Sequence, residues 1–229
     1  MTVEKKYIYE KFQIEEYMVK IIGDCFYNNP EDKEGESKNE IIFLGDSIIR
    51  DYDLSLYFPS YKGRLFNCGL SGVTSEGLFS ILKNGVIRHK PRGIVILVGT
   101  NDLNEYNNRR NEEVVYNIAN IIIQLKIFLK NVNIALLSIL PCDEKRYGKD
   151  SINGGFRENS RIIEINSFLK EFENHFKNLS FINAFEIFAD KNNNMINAYT
   201  HDGIHPNSKG YEKLTALLKP VVEKMLKKD

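Results

Sequence analysis

The stretch Ile41-Ile-Phe-Leu-Gly-Asp-Ser47 decides the fold of this chain, because four consecutive apolar residues lead directly into a polar turn. A short run that is apolar at every position is typical of a strand buried on both faces, as in parallel sheets. Glycine followed by aspartate and serine indicates a tight turn at the end of that strand. The stretch therefore predicts the first strand of an α/β domain, with the Ser47 hydroxyl accessible between the strand and a helix.

The residues that follow Ser47 repeat this alternation of strand and helix. Further apolar runs predict four strands, at 64–68, 94–98, 134–139 and 180–183. Apolar residues at helical spacing predict helices at about 75–84, across 114–129, at about 157–176, and after residue 207. Strands that alternate with helices predict a parallel sheet covered by helices on both faces.

The first 40 residues precede this pattern. Residues 10–24 have the apolar spacing of an amphipathic helix, and residues 28–40 are polar and contain Pro30 and Gly35. The segment before residue 40 is too short to fold alone. We therefore expect one domain over residues 1–229, with the N-terminal helix and the polar connection packed on it.

Composition narrows the classes of partner. The 229 residues carry 31 acidic and 31 basic side chains, so no basic excess would attract nucleic acid or an anionic membrane surface. No apolar run approaches the ~18 residues of a membrane span, and the first six residues lead into no apolar segment of a signal peptide. Three cysteines without metal-type spacing (Cys25, Cys68, Cys142) fit a reducing compartment, so we expect a cytoplasmic protein.

Polar residues and glycines follow four of the predicted strands, and the fifth strand reaches its motif through a loop. Ser47 follows the first strand, Gly69 and Gly72 follow the second, Asn101 follows the third, and the run Asp202–His205 follows the fifth. In parallel sheets, ligands bind at the carboxyl ends of the strands. We therefore expect these four motifs to converge at one edge of the sheet.

The converging residues have the chemistry that acyl transfer requires. Ser47 can be the nucleophile, His205 the base that takes its proton, and Asp202 the carboxylate that orients the imidazole. The backbone N–H groups of Ser47 and Gly72 and the side-chain amide of Asn101 can donate hydrogen bonds to an oxyanion.

Several polar residues in or near these motifs also have a purely structural interpretation. The Asp202–His205 run can be a capped turn with a packed imidazole. Asp46 and Asp102 are predicted to be turn or cap residues rather than proton carriers. Cys68 and Cys142 lie near strand ends and are alternative nucleophiles, although a buried apolar role is favoured for both.

Four blocks of the sequence resemble those of the SGNH hydrolases, also called GDSL lipases/acylhydrolases. These blocks are Gly45-Asp-Ser-Ile48, Gly69 with Gly72, Gly99-Thr-Asn-Asp102, and Asp202-Gly-Ile-His-Pro206. The Ser, Gly, Asn and His that name the family fall at Ser47, Gly72, Asn101 and His205. Ile48 replaces the leucine of the older motif name, a change that does not touch the chemistry. The stretch Leu136-Leu-Ser-Ile-Leu-Pro141 is similar to the bacterial branch related to platelet-activating-factor acetylhydrolase.

This resemblance implies a flavodoxin-like three-layer α/β/α sandwich with about five parallel strands. It also implies ester hydrolysis with neither a cofactor nor a metal ion. The expected partner is a small-molecule ester, either an acetylated carbohydrate or a lipid-derived ester.

Polar loops favour a short acyl group on a polar leaving group. Residues 103–110 and 142–155 follow the third and fourth strands and are mostly polar, so only Leu54, Leu56, Tyr57 and Phe58 offer an apolar wall. A lysophospholipase or thioesterase with longer acyl chains is the alternative enzyme. Two other hypotheses are a flavodoxin-like module that binds a phosphate or nucleotide, and a degenerate hydrolase that binds without cleaving.

Overall fold

The computed structural model describes residues 40–151 and 155–227. The helix predicted at 10–24 lies outside the described residues, as does nearly all of the polar connection. The described chain forms a five-stranded parallel sheet of order β2-β1-β3-β4-β5. Its strands are β1 (Ile41–Gly45), β2 (Leu65–Gly69), β3 (Gly93–Leu97), β4 (Asn133–Leu137) and β5 (Leu179–Ile182).

Helices connect the strands and cover the sheet. In chain order they are α1 (Ser47–Arg50), α2 (Leu54–Tyr57), α3 (Ser75–Gly85), α4 (Asn111–Phe128), α5 (Glu144–Tyr147), α6 (Asn159–His175), α7 (Phe185–Phe188) and α8 (Ser208–Leu226). Four short 3₁₀ turns lie at Pro59–Tyr61, Ile87–His89, Thr100–Leu103 and Asn197–Tyr199. Within the described residues, no helix combines the length and hydropathy needed to span a bilayer.

Alternate residues of β1 face two separate apolar cores, one on each side of the sheet. Ile42 and Leu44 belong to the core that α3, α4 and α6 cover. Ile41 and Phe43 belong to the core that α1, α2 and α8 cover. All four side chains are fully buried, as expected for a strand inside a parallel sheet. The three-layer α/β/α fold predicted from the sequence is confirmed.

The ends of β1, β2 and β3 lie level with one another. Gly45 pairs with Gly69 on one side and with Leu97 on the other. Neighbouring strands lie about 4.8 Å apart, so the loops that leave these three strands are adjacent. The chain moves from β1 to β2 on one side and then to β3 on the other, and this reversal creates the crevice where α/β sheets bind ligands.

Strand β4 ends earlier than its sequence suggests. The apolar run continues to Ile139, but the last paired residue of β4 is Leu137, opposite Ile182. The backbone N–H of Ile139 donates to the side-chain oxygen of Asn166 at 2.8 Å, and the Asn166 amide donates back to Ile139 O at 2.9 Å. A side chain from α6 thus replaces the neighbouring strand as the hydrogen-bond partner of this backbone.

Candidate active site

Ser47 is the first residue of α1 and follows β1 after a single intervening residue. Asp46 caps this helix, because its Oδ1 accepts a hydrogen bond from the N–H of Ile48 at 2.9 Å. A side chain at Gly45 would collide with the carbonyl of Leu97, so glycine permits the close approach of β3 at this turn. The turn directs the Ser47 Oγ toward His205, whose Nε2 lies 2.8 Å away.

The loop that carries His205 is organised by Asp202. One carboxylate oxygen, Oδ1, accepts hydrogen bonds from the backbone N–H groups of Ile204 at 2.9 Å and His205 at 2.8 Å. The other oxygen, Oδ2, lies 2.6 Å from Nδ1 of the His205 ring. The structure therefore brings the three residues expected to form a triad into one continuous chain of hydrogen bonds.

These hydrogen bonds stabilise the ionised form of Asp202. Partial burial acts to raise the pKa of the carboxyl group. The hydrogen bonds from the His205 side chain and from the backbone of His205 and Ile204 outweigh that effect and lower the pKa to about 2. The group beside His205 is therefore a carboxylate, which suits it to hold a proton on Nδ1.

Thr200 is a structural contributor that was not predicted from the sequence. Its hydroxyl donates to the carbonyl of His205 at 2.7 Å and accepts from the N–H of Gly203 at 2.9 Å. It also forms an isolated antiparallel bridge with Pro206, which closes the loop on itself. A threonine two residues before an Asp-Gly pair is a turn signal that could have identified it.

Asn101 joins the loops that follow β3 and β2. Its side chain is buried, and Nδ2 donates a hydrogen bond to the carbonyl of Val73 at 3.1 Å. This contact uses one of the two amide hydrogens and leaves the second available. Gly72 lies one residue before Val73 and has a φ of 72°, a conformation that favours glycine, although the space around it is open.

Asp102 makes a second connection between these two loops. The carboxylate is fully buried and accepts hydrogen bonds from the N–H and the hydroxyl of Ser75, at 2.9 and 2.5 Å. Ser75 is the first residue of α3, whose N-cap is Thr74, so Asp102 holds the first turn of that helix from another loop. The predicted structural roles of Asp46 and Asp102 are both confirmed, and burial raises the pKa of each group.

Arg157 is a buried cation that no motif in the sequence indicated. Only 7% of its surface is exposed, and its side chain donates to Thr100 and Asn101. It lies 56 residues from Asn101 along the chain, so no local motif connects the two.

The two described cysteines, Cys68 and Cys142, are buried. Cys142 Sγ donates to the carbonyl of Arg157 at 2.8 Å, and burial raises the pKa of the thiol to about 12. A thiol must ionise to act as a nucleophile, so Cys142 is a poor alternative to Ser47. Cys68 is 1% exposed, as expected for a small core residue, and Cys25 lies outside the described residues.

Among the described residues, one cluster has the spacing to contact a metal ion. The ligand atoms of His201, Asp202 and His205 all lie within 4.8 Å of one another. An ion between Asp202 and His205 would replace the 2.6 Å hydrogen bond that joins them, so metal binding and the triad arrangement are mutually exclusive.

Comparisons with known proteins identify one sequence relative and several solved structures with the same fold. An N-acylneuraminate cytidylyltransferase from Escherichia coli O18:K1:H7 is 25% identical over 86% of this chain, which spans only 45% of that protein. A solved structure from Streptococcus pneumonia, described as a candidate platelet activating factor, is 24% identical with a TM-score of 0.76 and covers 97% of this chain and 100% of its own. An acetyl xylan esterase shares the fold at 18% identity and a TM-score of 0.64, over 80% of this chain and 99% of its own.

The family comparison covers all four sequence blocks. A model of the GDSL-like lipase/acylhydrolase family matches residues 43–213, a range that begins inside β1 and ends inside α8. This range contains Ser47, Gly72, Asn101 and His205, together with the end of β1 and the whole of β2 to β5. The chain therefore belongs to the GDSL-like lipase/acylhydrolase family.

Proposed function

We propose that this protein is a serine esterase that cleaves carboxylic esters through an acyl-enzyme on Ser47. The observation that carries the proposal is the unbroken path from Ser47 Oγ to His205 Nε2, at 2.8 Å, and from His205 Nδ1 to Asp202 Oδ2, at 2.6 Å. Both distances lie within normal hydrogen-bond range, so a proton can pass from the serine to the imidazole. Membership of an acylhydrolase family supports the same reaction.

The first half of the reaction acylates the serine. As Ser47 Oγ attacks the carbonyl carbon, its proton moves to Nε2 of His205. Asp202 holds the other ring proton on Nδ1 and stabilises the imidazolium that forms. The C–O bond to the alcohol then breaks, and the leaving alcohol takes the proton from Nε2.

Three donors are proposed for the negative oxygen of the tetrahedral intermediate. They are the backbone N–H groups of Ser47 and Gly72 and the second amide hydrogen of Asn101. All three lie shortly after the level ends of β1, β2 and β3. Such fixed donors stabilise charge that develops in the transition state without reorganising.

The second half of the reaction releases the acid. Water gives a proton to His205 Nε2 and attacks the acyl-enzyme carbonyl, again with the oxyanion on the same donors. The second tetrahedral intermediate collapses to the carboxylic acid, and Ser47 Oγ recovers its proton from the imidazole. The cycle needs only the ester and water, so the proposal includes no cofactor.

Two measurements test the nucleophile, one on the variant Ser47→Ala and one on the natural protein. Ser47→Ala is expected to lower turnover of nitrophenyl acetate by about a millionfold, as for loss of a triad serine elsewhere. A serine-directed fluorophosphonate probe, with its adduct mapped by mass spectrometry, should label Ser47 in the natural protein. Cys68→Ala removes a buried thiol of the core and is the control, which should keep both activity and labelling. Substantial activity in Ser47→Ala, or an adduct on another residue, would disprove the assignment.

We further propose that the substrate carries a short acyl group, with acetyl first. Leu54 and Phe58, two residues of the expected apolar wall, are 7% and 2% exposed and belong to the core. They therefore cannot line an open trough, while Leu56 is a single exposed residue at 65%. The region after β4 adds polar groups beside the triad, because Arg146 donates to the carbonyl of Asp202 at 2.9 Å.

Acetylated carbohydrate is the preferred class of substrate. The acetyl xylan esterase and the N-acylneuraminate cytidylyltransferase are both named for carbohydrates, and polar walls suit a sugar. The Streptococcus pneumonia structure is named for platelet activating factor, which makes a lipid-derived ester the second candidate.

A series of nitrophenyl esters from acetyl to octanoyl distinguishes these substrates. We expect kcat/KM to be highest for acetyl and to fall with length, because the described residues around the triad offer little open apolar surface to the added methylenes. Each methylene seated in a real trough would contribute about 0.8 kcal/mol. A steady rise toward octanoyl would replace this proposal with a lysophospholipase or thioesterase function.

A further inference from the structure

Arg157 is a charged residue buried in the wall of the proposed site. It is 7% exposed, and burial lowers the pKa of its guanidinium. Its backbone is fixed on both sides, because its N–H donates to the carbonyl of Tyr147 at 3.3 Å and its carbonyl accepts from Cys142 Sγ at 2.8 Å. Charged side chains are rarely buried without specific partners, so these partners indicate what the residue does.

The guanidinium contacts the loop that carries Asn101. Its Nε donates to the carbonyl of Thr100 at 3.0 Å and lies 3.3 Å from the Thr100 hydroxyl. A terminal nitrogen donates to Asn101 Oδ1 at 3.4 Å, and the other lies 4.0 Å from a carboxylate oxygen of Glu105. The group also lies 5.7 Å from the centre of the Tyr147 ring.

These contacts distinguish the two ends of the Asn101 amide. A guanidinium only donates hydrogen bonds, so it must face the amide oxygen. The carbonyl of Val73 only accepts, so it must face the amide nitrogen, which lies 3.1 Å from it. A flipped amide would place its NH₂ against Arg157 and its oxygen against Val73, and both contacts would be lost.

We propose that Arg157 is a positioning residue that fixes the Asn101 amide with its nitrogen toward the oxyanion. The inference rests on the proposed function, because it assumes that Asn101 donates to the tetrahedral intermediate. Arg157 does not touch the substrate in this arrangement and acts through Asn101 alone. The planar fork of Arg157 contacts Thr100 and Asn101 through two separate nitrogens, whereas all donors of a lysine ammonium lie on one nitrogen and cannot reproduce this geometry.

The test compares kcat and KM for single and double variants. Asn101→Ala removes the donor and is expected to lower kcat by about 10²–10³, with KM nearly unchanged. Arg157→Met should lower kcat by at least about tenfold but no further than Asn101→Ala, because it misorients the same donor. In the double variant the two losses should not multiply, because both changes remove one interaction. Multiplied losses, or a defect in KM alone, would overturn the proposal.

A matched control separates orientation of the amide from general support of the loops. Arg161 donates to Asn111 at 2.9 Å, to Asn108 at 3.2 Å and to Phe156 O at 3.1 Å, and it has no hydrogen bond to Asn101. Arg161→Met should keep kcat close to its natural value. If Arg161→Met lowered kcat as much as Arg157→Met does, both arginines would merely support the loops. That result would overturn the proposal.

Two further measurements keep the outcome decisive. If Arg157→Met fails to fold, Arg157→Lys retains the charge and much of the packing, and it should still lower kcat while KM holds. A lysine variant with natural kcat would refute the role of the fork. Ser47→Ala tests the proposed function separately. An inactive Ser47→Ala with a fully active Arg157→Lys rejects only the positioning role, whereas an active Ser47→Ala rejects the esterase mechanism itself.

Discussion

At the scale of single residues, Asp202 has two tasks that can be separated by changing one atom. Its Oδ1 holds the backbone of Ile204 and His205, while Oδ2 contacts the imidazole. An asparagine can keep the first task, because its side-chain oxygen also accepts hydrogen bonds. It cannot keep the second, because an NH₂ group in the place of Oδ2 would face Nδ1 and shift the ring proton to Nε2.

We therefore predict that Asp202→Asn folds normally and that its kcat is about 10⁴-fold lower. The same change lowers kcat by this factor in a serine protease, where it misplaces the histidine proton. Circular dichroism and steady-state kinetics with nitrophenyl acetate measure the two effects. His201→Ala is the control, since this neighbour is exposed and its Nε2 lies 3.7 Å from Asp202 Oδ2. An Asp202→Asn variant with a tenth or more of natural kcat would refute the role of the carboxylate.

Residues differed in how far the sequence could predict them. Ser47 and Asp202 stand in short motifs with turn chemistry, so the turns that hold them follow from local sequence alone. Thr200 carries a weaker turn signal. Arg157 carries none, because its partners come from a loop 56 residues away and only the packed structure brings them together.

At the scale of elements, the loop before α8 is packed against α5. The N–H of Asp143, which caps α5, donates to the carbonyl of Gly203 at 2.9 Å. A side chain at Gly203 would meet Asp143 Cβ at 2.8 Å, and the backbone there has a φ of 97°, which side chains rarely adopt. Close packing and unusual backbone together require glycine at this position.

Gly203→Ala should therefore lower both stability and activity. The backbone strain costs about 1–3 kcal/mol, and relief of the contact with α5 must shift the loop that holds His205. Thermal unfolding and kcat/KM report the two losses. Gly63→Ala is a matched control, because Gly63 has a φ of 76° but open space around it, so it should lose stability and keep activity. Equal activities for the two variants would contradict the link between α5 and the site.

Elements were easier to predict than their ends. Every strand from β1 to β5 was predicted within about two residues, because runs of buried apolar residues determine where a parallel sheet passes. The end of β4 was misplaced, since Ile139 is apolar and buried but is bonded by the Asn166 amide. The apolar pattern of a sequence indicates which residues are buried. It does not indicate which group forms hydrogen bonds with their backbone.

At the scale of the whole molecule, the free energy of unfolding should depend on the ionisation of Asp46. This carboxyl group is 1% exposed, and its Oδ2 has no hydrogen-bond partner within the described chain. Burial raises the pKa from 3.8 to about 7, against the opposing effects of the Ile48 hydrogen bond and the charges of His205 and Arg157. The folded protein therefore holds this proton more tightly than the unfolded chain does.

The sign of the pH dependence follows from that difference. Stabilisation by the protonated group is complete below about pH 4 and is lost as the pH rises through about 7. The two pKa values correspond to a loss of up to about 4 kcal/mol. Denaturant unfolding between pH 5 and pH 8 should show this fall in the natural protein and a smaller one in Asp46→Asn, which cannot ionise. Parallel curves for the two proteins would contradict the prediction.

The separation of Ser47 and His205 along the chain has a consequence in time. The two residues are 158 positions apart, and the ring of Tyr211 in α8 stacks on Tyr52, just beyond α1, with centroids 4.9 Å apart. A ribosome therefore adds the serine long before it adds the histidine. A nascent chain that has not reached His205 contains only one of the two residues. Because domains of this size generally fold as units, the first ester cleaved under the proposed function would report that α8 has docked. The time at which a chromogenic ester begins to be cleaved would thus measure when folding is complete, without a label on the protein.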